Sequence, residues 1–534
     1  MVVIEINKRD LLTLIKSELK DEELSEVLFL LKVETNFEGD KITCELNPDR
    51  PDMFSVEGIA RALKGFLGFE KGLTKYEILE SNIVLTKEKA GIRPHIACAV
   101  IEDVKMTDEL VKSLIQMQEK LHATIGRDRR KVAIGVHDFD KIKPPLIYKD
   151  VEDEKFVPLQ EGREMTIKEI LENHAKGKDY AHLVSGKYPI IYDKEGVVSF
   201  PPIINSDRTK ITEQTKNIFI DVTGTDERAV NQVLNILVAN TVERSGKIGK
   251  VKISNKLTPD LDPAEFSISA EDVERFLGLG LDENKIADAL ERMGFGIVKT
   301  RGGRIEALIP TYRTDILHKV DIYEDVAIGY GYNVIQPVLP KIPTIGRLTE
   351  LEKFCSKLRE LMIGLGFQET LNFTLINKEI NFDKMLIEGK AAEISNPVSS
   401  EYNICRTWLL PSLMKILSAN KHRDYPQRVF EIGDAIVLDT NSEVMTRDIR
   451  KLAGVISYDS ANLTEMKSII ENIMKNIGMT YEIKEVKHPS FIESRVGEVV
   501  VNDRSIGLFG EVNPEVIVNF NLEKPIIAFE MEIG

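Results

Sequence analysis

At 534 residues the chain is too long for one hydrophobic core, and its length indicates roughly three to four domains. Hydrophobic residues make up 43% and charged residues 29%, a composition typical of globular proteins. The formal charge of −15 excludes a protein that binds nucleic acid along its whole length, because that function requires a basic stripe. A local basic patch is still compatible with this charge, at Arg127, Arg129, Arg130 and Lys131.

The cysteines, the N-terminus and the hydropathy pattern favour a cytoplasmic protein. The four cysteines lie far apart, without the spacing of a zinc site or a disulfide framework, and are predicted to be reduced core residues. The N-terminal sequence MVVIEINKRD predicts a strand instead of a signal peptide, since no apolar segment follows a basic one. The sequence contains no run of 18 apolar residues, so no membrane-spanning helix is predicted.

Two domains are predicted in the first half of the chain. Residues 1–88 alternate strand and helix patterns and predict an α/β domain. Residues 89–258 predict an α+β domain with strands at 131–139 and 217–224 and long amphipathic helices. The segment 200–209 is rich in proline and asparagine, so it cannot be regular. It is predicted to form the rim of a pocket, because loops on a rigid scaffold carry functional residues.

Two further domains are predicted at 259–338 and 345–534, separated by the proline-rich segment 337–346. The third domain comprises two short helices, two strands and a final acidic helix, an order similar to winged-helix modules at the level of fold. The fourth domain combines helices with β-rich segments and ends in a hairpin whose turn is at 502–504. The predicted fold class is therefore α+β multidomain.

The acidic helix of the third domain is a candidate metal site. Asp321, Glu324 and Asp325 stand at i, i+3 and i+4, so they are predicted to share one helix face and to repel one another by roughly 0.2–0.5 kcal/mol per pair. Asp315 adds a fourth carboxylate just before the helix. A hard cation such as Mg²⁺ prefers oxygen ligands, so His318 is left out of this set. The alternative is a solvated acidic face on an acidic protein.

Seven motifs follow one another in chain order: NPDRPDMFSVEGIARAL, IGVHDFDKIKPPLIY, FPPIINSDRTKIT, PTYRTDILHKVDIYEDVAIGYGYN, SNPVSSEYNICRTWLLPSLM, RVFEIGDAI and GLFGEVNPEV. Together they resemble those of a single family, the β subunit of phenylalanyl-tRNA synthetase of the archaeal and eukaryotic type. The resemblance runs from near residue 40 to the C-terminus. One motif alone would be weak, but seven in order are hard to obtain by chance.

The resemblance implies an (αβ)₂ heterotetramer that joins phenylalanine to tRNA(Phe) with ATP and Mg²⁺. The α subunit would carry the aminoacylation centre and bind most of the ATP and phenylalanine. The β subunit would supply an N-terminal domain, a B3/B4-type editing domain, a B5 domain with the acidic helix, and a synthetase-like antiparallel core without an active site. The family's metal ligands, shared between the subunits, correspond to Asp315, Asp321, Glu324 and Asp325.

The chemistry of the fourth domain favours the same interpretation. A class II synthetase core needs an arginine for the α-phosphate of ATP and a glycine-rich segment that ends in a second arginine, because the transferring group develops charge. Arg428 and Glu431 give the outline of the first feature, but no such glycine-rich segment follows in the sequence, and Arg428 is predicted to be an exposed strand arginine. The sequence contains no P-loop motif, which excludes a P-loop NTPase.

An editing site is expected in the second domain, because a pocket shaped for phenylalanine rejects a side chain that merely adds a hydroxyl by only about 10²-fold. A site that hydrolyses Tyr-tRNA must accept the phenol with a polar group and position water at the ester. Asn205, Asp221 and Thr223 are candidates, with Asp221 for the phenol. The alternative is that they only satisfy backbone groups at turns and strand ends. His137 is predicted to be a hydrogen-bonded structural residue.

Two other classes of function compete with the ligase subunit. A stand-alone hydrolase of mischarged tRNA would need the second domain but not a long synthetase-like core. A metal-dependent nucleic-acid module would centre on the third domain, but the acidic charge and the single tryptophan, Trp408, oppose it because such modules stack bases on aromatic side chains.

Overall fold

The computed structural model describes residues 1–79, 81–342 and 344–533. The chain divides into two compact units, Met1–Leu339 and Pro340–Gly534, and the division falls within the predicted proline-rich boundary. Residues 80, 343 and 534, which lie inside predicted domains or their boundary, are outside the described residues. Within the described ranges, no helix has both the length and the apolar character needed to cross a membrane.

The first unit begins with a three-stranded antiparallel sheet in the order β1-β3-β2. Because both strand pairs are antiparallel, this segment has an α+β arrangement, and the predicted α/β arrangement, which requires parallel strands, is wrong here. The elements are β1 (Val2–Asn7), α1 (Lys8–Ile15), α2 (Asp21–Leu30), β2 (Val33–Glu38), β3 (Lys41–Leu46) and α3 (Val56–Phe66).

The second segment is built on an eleven-stranded mixed sheet. The same stretch of chain also contains four helices and a separate sheet of two short strands, each two residues long. The elements are β4 (Ile78–Leu79), β5 (Val84–Lys87), β6 (His95–Glu102), α4 (Asp108–Ala123), β7 (Val132–Asp138), β8 (Leu146–Val151), β9 (Lys155–Phe156), β10 (Met165–Thr166), α5 (Ile167–Asn173), α6 (Ala175–Tyr180), β11 (Tyr188–Asp193), β12 (Gly196–Phe200), β13 (Ile204–Asn205), β14 (Ile218–Gly224), α7 (Glu227–Thr241), β15 (Lys247–Ile253) and β16 (Lys256–Thr258).

Strand β14 is the central element of this segment, because it pairs with β6 on one side and β7 on the other, both antiparallel. All seven of its residues are buried. Ile218, Ile220 and Val222 belong to the core that includes α4 and α7, whereas Phe219 belongs to a second core on the other face. Successive side chains of a strand alternate between faces, so Asp221 lies on the same face as Phe219.

The third segment is a three-stranded antiparallel sheet in the order β17-β19-β18, with three helices. The two predicted helices, the two predicted strands and the acidic helix are confirmed, but the first strand has no counterpart among the predicted elements. The elements are β17 (Ala264–Ser269), α8 (Ala270–Leu277), α9 (Glu283–Arg292), β18 (Gly296–Arg301), β19 (Arg304–Ile309) and α10 (Lys319–Tyr330).

The second unit contains a seven-stranded sheet in the order β20-β23-β24-β28-β27-β26-β25, antiparallel except for the β20–β23 pair. The predicted terminal hairpin is confirmed, and Asn502 and Asp503 at its turn have φ of 49° and 62°, as a two-residue hairpin turn requires. The elements are α11 (Glu350–Gly364), β20 (Gln368–Glu369), β21 (Leu375–Ile376), α12 (Lys378–Asn381), β22 (Ile404–Cys405), α13 (Leu410–Ala419), β23 (Gln427–Leu438), β24 (Thr446–Ser457), α14 (Leu463–Ile477), β25 (Glu482–Glu485), β26 (Phe491–Val501), β27 (Arg504–Val512), α15 (Pro514–Asn519) and β28 (Ile526–Glu532).

Two helical glycines provide a matched test of the packing of α10 against α9. A Cβ at Gly329 of α10 would overlap the backbone carbonyl of Ala289 in α9, whereas a Cβ at Gly364 of α11 would meet nothing within 4 Å. Gly329→Ala should therefore destabilise the first unit by about 1–3 kcal/mol. Gly364→Ala should stabilise the second by about 0.5–1 kcal/mol, because alanine loses less backbone entropy. Urea denaturation of both variants checks this, and equal effects would contradict the packing described for α9 and α10.

Candidate functional site

A cavity of about 720 Å³ lies in the second segment of the first unit. Its volume falls in the range of roughly 300–1,000 Å³ that is typical of small-molecule sites. Gly135 and Val136 of β7, Asp221 of β14, and the segment 200–205 all line it. The predicted pocket rim is thus part of a cavity wall, and the cavity combines an apolar wall with a buried carboxylate.

Asp221 is a buried carboxylate in the wall of this cavity, with 1% of its surface exposed. A carboxylate taken out of water needs a hydrogen-bond donor to offset its desolvation. His137 supplies that donor, because its Nε2 lies 2.8 Å from Asp221 Oδ2. The His137 ring is fully buried, and its Nδ1 lies 2.9 Å from the Thr209 hydroxyl. The structure therefore confirms that His137 is hydrogen-bonded, and it identifies Asp221 as the partner.

The glycine opposite Asp221 makes this contact feasible. In the antiparallel register of β7 and β14, Gly135 faces Asp221, and His137 lies two residues further along β7, on the same face. A Cβ on Gly135 would overlap both Asp221 Oδ2 and His137 Nε2. The absence of a side chain at 135 thus gives the imidazole room to reach the carboxylate diagonally across the two strands.

Asn205 lies on the same cavity wall and is held by its neighbour across β12 and β13. The Ser199 hydroxyl donates to Asn205 Oδ1 at 3.0 Å, and Asn205 Nδ2 donates to the Val136 carbonyl at 3.5 Å. The structure therefore brings two of the predicted editing residues, Asn205 and Asp221, to one cavity.

Thr223 occupies a different environment and is not among the described residues that line the cavity. It is fully buried, and its hydroxyl and carbonyl both accept hydrogen bonds from the guanidinium of Arg93. Burial lowers the pKa of Arg93 to about 10, which leaves it a cation at neutral pH. Thr223 thus fixes the end of β14 through Arg93 and does not face the cavity.

Arg129 is a buried residue of the cavity wall, so it does not contribute to the basic surface patch that the net charge left possible. Its side chain is buried and donates to the carbonyls of Pro202 and Ile203, at 3.1 Å each. Its guanidinium also lies 4.4 Å from the centroid of the Tyr180 ring. The backbone of residues 127–129 has φ between 48° and 64°, a left-handed conformation that is costly for residues other than glycine. This strained turn places the Arg129 side chain against the segment 200–205.

The four carboxylates of the acidic helix region are met by different partners. Arg313, whose side chain is 1% exposed, donates Nε and Nη2 to Asp315 at 2.9 and 2.7 Å, and Nη2 also contacts Asp325. Burial alone would raise the pKa of Asp315, but the charge and hydrogen bonds of Arg313 outweigh it and hold that pKa below its ordinary value. Arg313 thus pairs with both Asp315 and Asp325, but its single charge offsets only one of them, and burial raises the pKa of Asp325 above its ordinary value despite the arginine.

The other two carboxylates have separate roles. Asp321 Oδ2 accepts from the backbone amides of Leu317 and His318 and so caps the start of α10. Glu324 is half exposed and pairs with Lys32 at 2.9 Å. In the part of the chain that the structure describes, no group of three or more acidic, histidine or cysteine side chains is arranged to hold a metal ion. The residues of this chain alone thus do not fit an ion bound by all four carboxylates, and their metal ligation stays a prediction.

The motif residues of the second unit are engaged internally. Glu431 is fully buried and accepts from Arg406 at 2.7 Å and from the Asn372 amide at 2.7 Å. Arg428 is 30% exposed and donates to Glu465 at 2.7 Å, so it is paired and not the freely exposed strand arginine that was expected. Both charges that give the outline of an ATP-binding motif are therefore neutralised within the unit.

Sequence reasoning does not identify Gly135, Thr209 or Ser199 as parts of the site. Gly135 and Ser199 reach Asp221 and Asn205 through the pairing of β7 with β14 and of β12 with β13, whereas Thr209 lies in a turn after β13 and contacts His137. The one available signal is the occurrence of IGVHD and IDVTG in two predicted strands.

Three family models match the chain in succession. Residues 103–244 match the B3/4 domain, residues 266–332 match the tRNA synthetase B5 domain, and residues 335–533 match the phenylalanyl tRNA synthetase beta chain CLM domain. The cavity and Asp221 lie within the first match, and α10 lies within the second. The domains define the β chain of an aminoacyl-tRNA synthetase as the class of this protein.

Similar proteins narrow the class to one family. The chain is 44% identical to the phenylalanine–tRNA ligase β subunit of Methanocaldococcus jannaschii, with 100% of each chain covered. It is 43% identical to the same subunit of Pyrococcus furiosus, covering 99% of this chain and 98% of the relative. A crystal structure of an N-terminal fragment of the Pyrococcus horikoshii β subunit matches with a TM-score of 0.59 and 42% identity, over 62% of this chain and all of the fragment. The chain belongs to the family of phenylalanine–tRNA ligase β subunits.

Arg313 should be essential for the stability of the first unit. Arg313→Met leaves the buried carboxylates of Asp315 and Asp325 without their cation, which should lower the free energy of unfolding by about 3–5 kcal/mol. The pKa of Asp315 is lower in the folded chain than in the unfolded chain, so the ionised carboxylate stabilises the fold. This contribution to the free energy of unfolding is fully present above the unfolded pKa of about 3.9. It is lost as the pH falls through the pKa of Asp315 in the folded chain.

Urea denaturation of the isolated chain at pH 7 and at pH 3 measures both effects. Arg275→Met is the matched control, because Arg275 pairs with Asp272 on the surface, where it is 78% exposed. The control should behave as the parent does. An Arg313→Met variant as stable as the parent at pH 7 would contradict the account of this ion cluster.

Proposed function

We propose that this chain is the β subunit of a phenylalanine–tRNA ligase, which joins phenylalanine to tRNA(Phe) with ATP in a heterotetramer of two α and two β chains. We also propose that its cavity hydrolyses tRNA(Phe) that carries tyrosine. Membership of the family supports the first statement. The observation that carries the second is a carboxylate, Asp221, buried in the wall of a cavity large enough for an aminoacyl group.

The chemistry of discrimination explains why a carboxylate suits this site. Tyrosine differs from phenylalanine only by its phenolic hydroxyl, which is a hydrogen-bond donor that a carboxylate accepts strongly. A phenylalanyl group in the same position would leave Asp221 without a ligand partner in the cavity. A site built to bind a hydroxyl rejects the analogue that lacks it much more strongly than an apolar pocket rejects the added hydroxyl. The cavity would therefore remove tyrosine and spare phenylalanine.

The other two predicted residues, Asn205 and Thr223, would support the action of Asp221. Asn205, oriented by Ser199, would bind the ester carbonyl or the attacking water. Thr223 would act indirectly, by fixing the end of β14 through Arg93. Asp221 alone would contact the phenol.

Asp221→Ala should abolish the preference of the assembled enzyme for tyrosyl esters. The hydrolysis of Tyr-tRNA(Phe) should fall about tenfold to hundredfold, because one hydrogen bond to a charged group is lost, while the attachment of phenylalanine continues. The measurement is the rate of deacylation of Tyr-tRNA(Phe), together with the rate of phenylalanylation, for the variant and the parent complex.

Asp193→Ala is the matched control, because Asp193 is another buried carboxylate of this sheet and pairs with Arg208 outside the cavity lining. The Asp193→Ala variant should deacylate as the parent does, and equal deacylation by Asp221→Ala would refute the assignment.

The isolated chain, without the α subunit, is measured in the same assay. If it deacylates as fast as the complex, a stand-alone deacylase becomes the better description.

The second unit presents a candidate surface for the α subunit. Leu371, Phe373 and Leu375, which follow β20 in the chain, have exposures of 88%, 76% and 37%. Large exposed apolar side chains close together on a surface mark protein interfaces. We assign this apolar edge, residues 371–375, to contact with α.

Phe373→Asp should weaken the complex with α roughly tenfold or more. The variant replaces an aromatic side chain that the complex would bury with a charge that would have to lose its water. Size-exclusion chromatography of co-expressed chains over a dilution series measures the loss. Val444→Asp is the control, since Val444 is 72% exposed in another loop of the same unit. A Phe373→Asp variant that dissociates no more than this control would exclude the apolar edge from the interface.

We propose that Mg²⁺ joins the acidic helix region only when α is present, because the single chain already satisfies these carboxylates with Arg313, Lys32 and backbone amides. The half-exposed Glu324 and the capping Asp321 are the two carboxylates most accessible to a second chain. Repeating the dilution series in EDTA tests this. A complex that is equally stable with and without the chelator would remove the metal from the interface.

A further inference from the structure

We infer that His137 is a positioning residue of the cavity, which holds the Asp221 carboxylate in the orientation that receives a phenol, and that Thr209 fixes the imidazole in turn. The inference rests on the proposed function, because it assigns two more residues to the same site. It goes beyond the predicted set of Asn205, Asp221 and Thr223.

The hydrogen bonds of the imidazole define one arrangement. An ionised carboxylate only accepts, so His137 Nε2 must donate to Asp221 Oδ2 across the 2.8 Å between them. In the neutral imidazole Nδ1 is then an acceptor, and the Thr209 hydroxyl donates to it at 2.9 Å in preference to the Ser206 carbonyl at 3.5 Å. Thr209 is fully buried, so water does not compete for this bond. The threonine thereby selects the tautomer that presents a proton to Asp221, as a second partner orients a metal-bound histidine.

The location of these three hydrogen-bonded side chains, Thr209, His137 and Asp221, indicates a role in binding. A buried ion pair or polar pair contributes little net stability, and apolar residues of the same volume often replace it without loss. The surroundings here are apolar, with the Phe219 ring centroid 6.0 Å from that of His137. The fold nevertheless places the polar side chains of Thr209, His137 and Asp221 here, and Asp221 lines the cavity. Buried ionisable groups that border a cavity are candidates for function.

The consequence concerns the two oxygens of Asp221. The bond from His137 uses Oδ2 and restricts rotation of the carboxylate, which leaves Oδ1 as the acceptor for a ligand hydroxyl. Without the imidazole, the carboxylate would turn between several orientations, and the acceptor would no longer be fixed. His137 and Thr209 should therefore affect the hydrolysis of tyrosyl esters and leave the hydrolysis of phenylalanyl esters unchanged.

Three variants of the assembled α–β enzyme test the inference: His137→Ala, His137→Gln and Thr209→Val. Each is assayed with Tyr-tRNA(Phe) and with Phe-tRNA(Phe), and the readout is the ratio of the two deacylation efficiencies. His137→Ala should lower this ratio about tenfold to hundredfold, which corresponds to the free energy that one hydrogen bond to a charged group contributes. His137→Gln should recover part of the ratio, because its amide supplies both a donor for Asp221 and an acceptor for Thr209. Thr209→Val, which removes only the hydroxyl, should lower the ratio severalfold.

The outcomes separate the inference from the proposed function. If the parent enzyme does not hydrolyse Tyr-tRNA(Phe), the proposed function fails and the inference fails with it. If Asp221→Ala loses the tyrosine preference but His137→Ala keeps it, editing stands and the positioning role is overturned. If His137→Ala does not fold, the two milder variants decide, and a parental ratio in both of them overturns the inference.

Discussion

A carboxylate that is buried in a protein must be met by a hydrogen-bond donor or a cation, and this constraint organises the first unit of the chain. The cost of leaving such a charge unpaired exceeds the net stability contributed by most single contacts. Asp221 is met by His137, Asp52 by Arg50 at 2.8 Å, and Asp315 by Arg313. Each pair joins residues whose positions follow from the local fold, so each buried acid has one fixed orientation.

The same constraint has different consequences in two places. At the acidic helix region the cations are arginine and lysine side chains, which pair with Asp315, Asp325 and Glu324 within the chain. In the cavity the partner is an imidazole that engages one oxygen of Asp221, and the carboxylate still borders open volume. Carboxylates held by cations of the same chain serve stability, whereas a partly satisfied carboxylate in a cavity is able to recognise a ligand. This difference is why we assign binding to Asp221 and structural support to Arg313.

Much of the architecture could be predicted from periodicity, and the failures have identifiable causes. The buried strand β14, the long helix α7 and the acidic helix α10 follow from their apolar patterns. Strand β17 was missed although its sequence AEFSIS alternates apolar with polar residues, because it is short, has only one buried position and directly follows a segment with two prolines. The α/β prediction for the N-terminal segment failed because sequence patterns do not show whether neighbouring strands run parallel or antiparallel.

The candidate site was only partly predictable, because its contacts join distant residues. Asp221 and Asn205 stand in distinctive polar positions, but His137 meets Asp221 across 84 residues of sequence and Lys32 meets Glu324 across 292. Asp321, Glu324 and Asp325 lie on one helix, as predicted, but the sequence does not show their surroundings. Helix α10 buries Asp325 to 3% exposure against Arg313 and leaves Glu324 half exposed beside Lys32.

The most direct test of the central claim is a crystal structure of the α–β complex with a tyrosyl-adenosine analogue whose ester is replaced by an amide. The account predicts the phenol oxygen within about 3 Å of Asp221, with His137 still bound to the other carboxylate oxygen. An analogue bound in the cavity with its phenol directed away from Asp221 would contradict it.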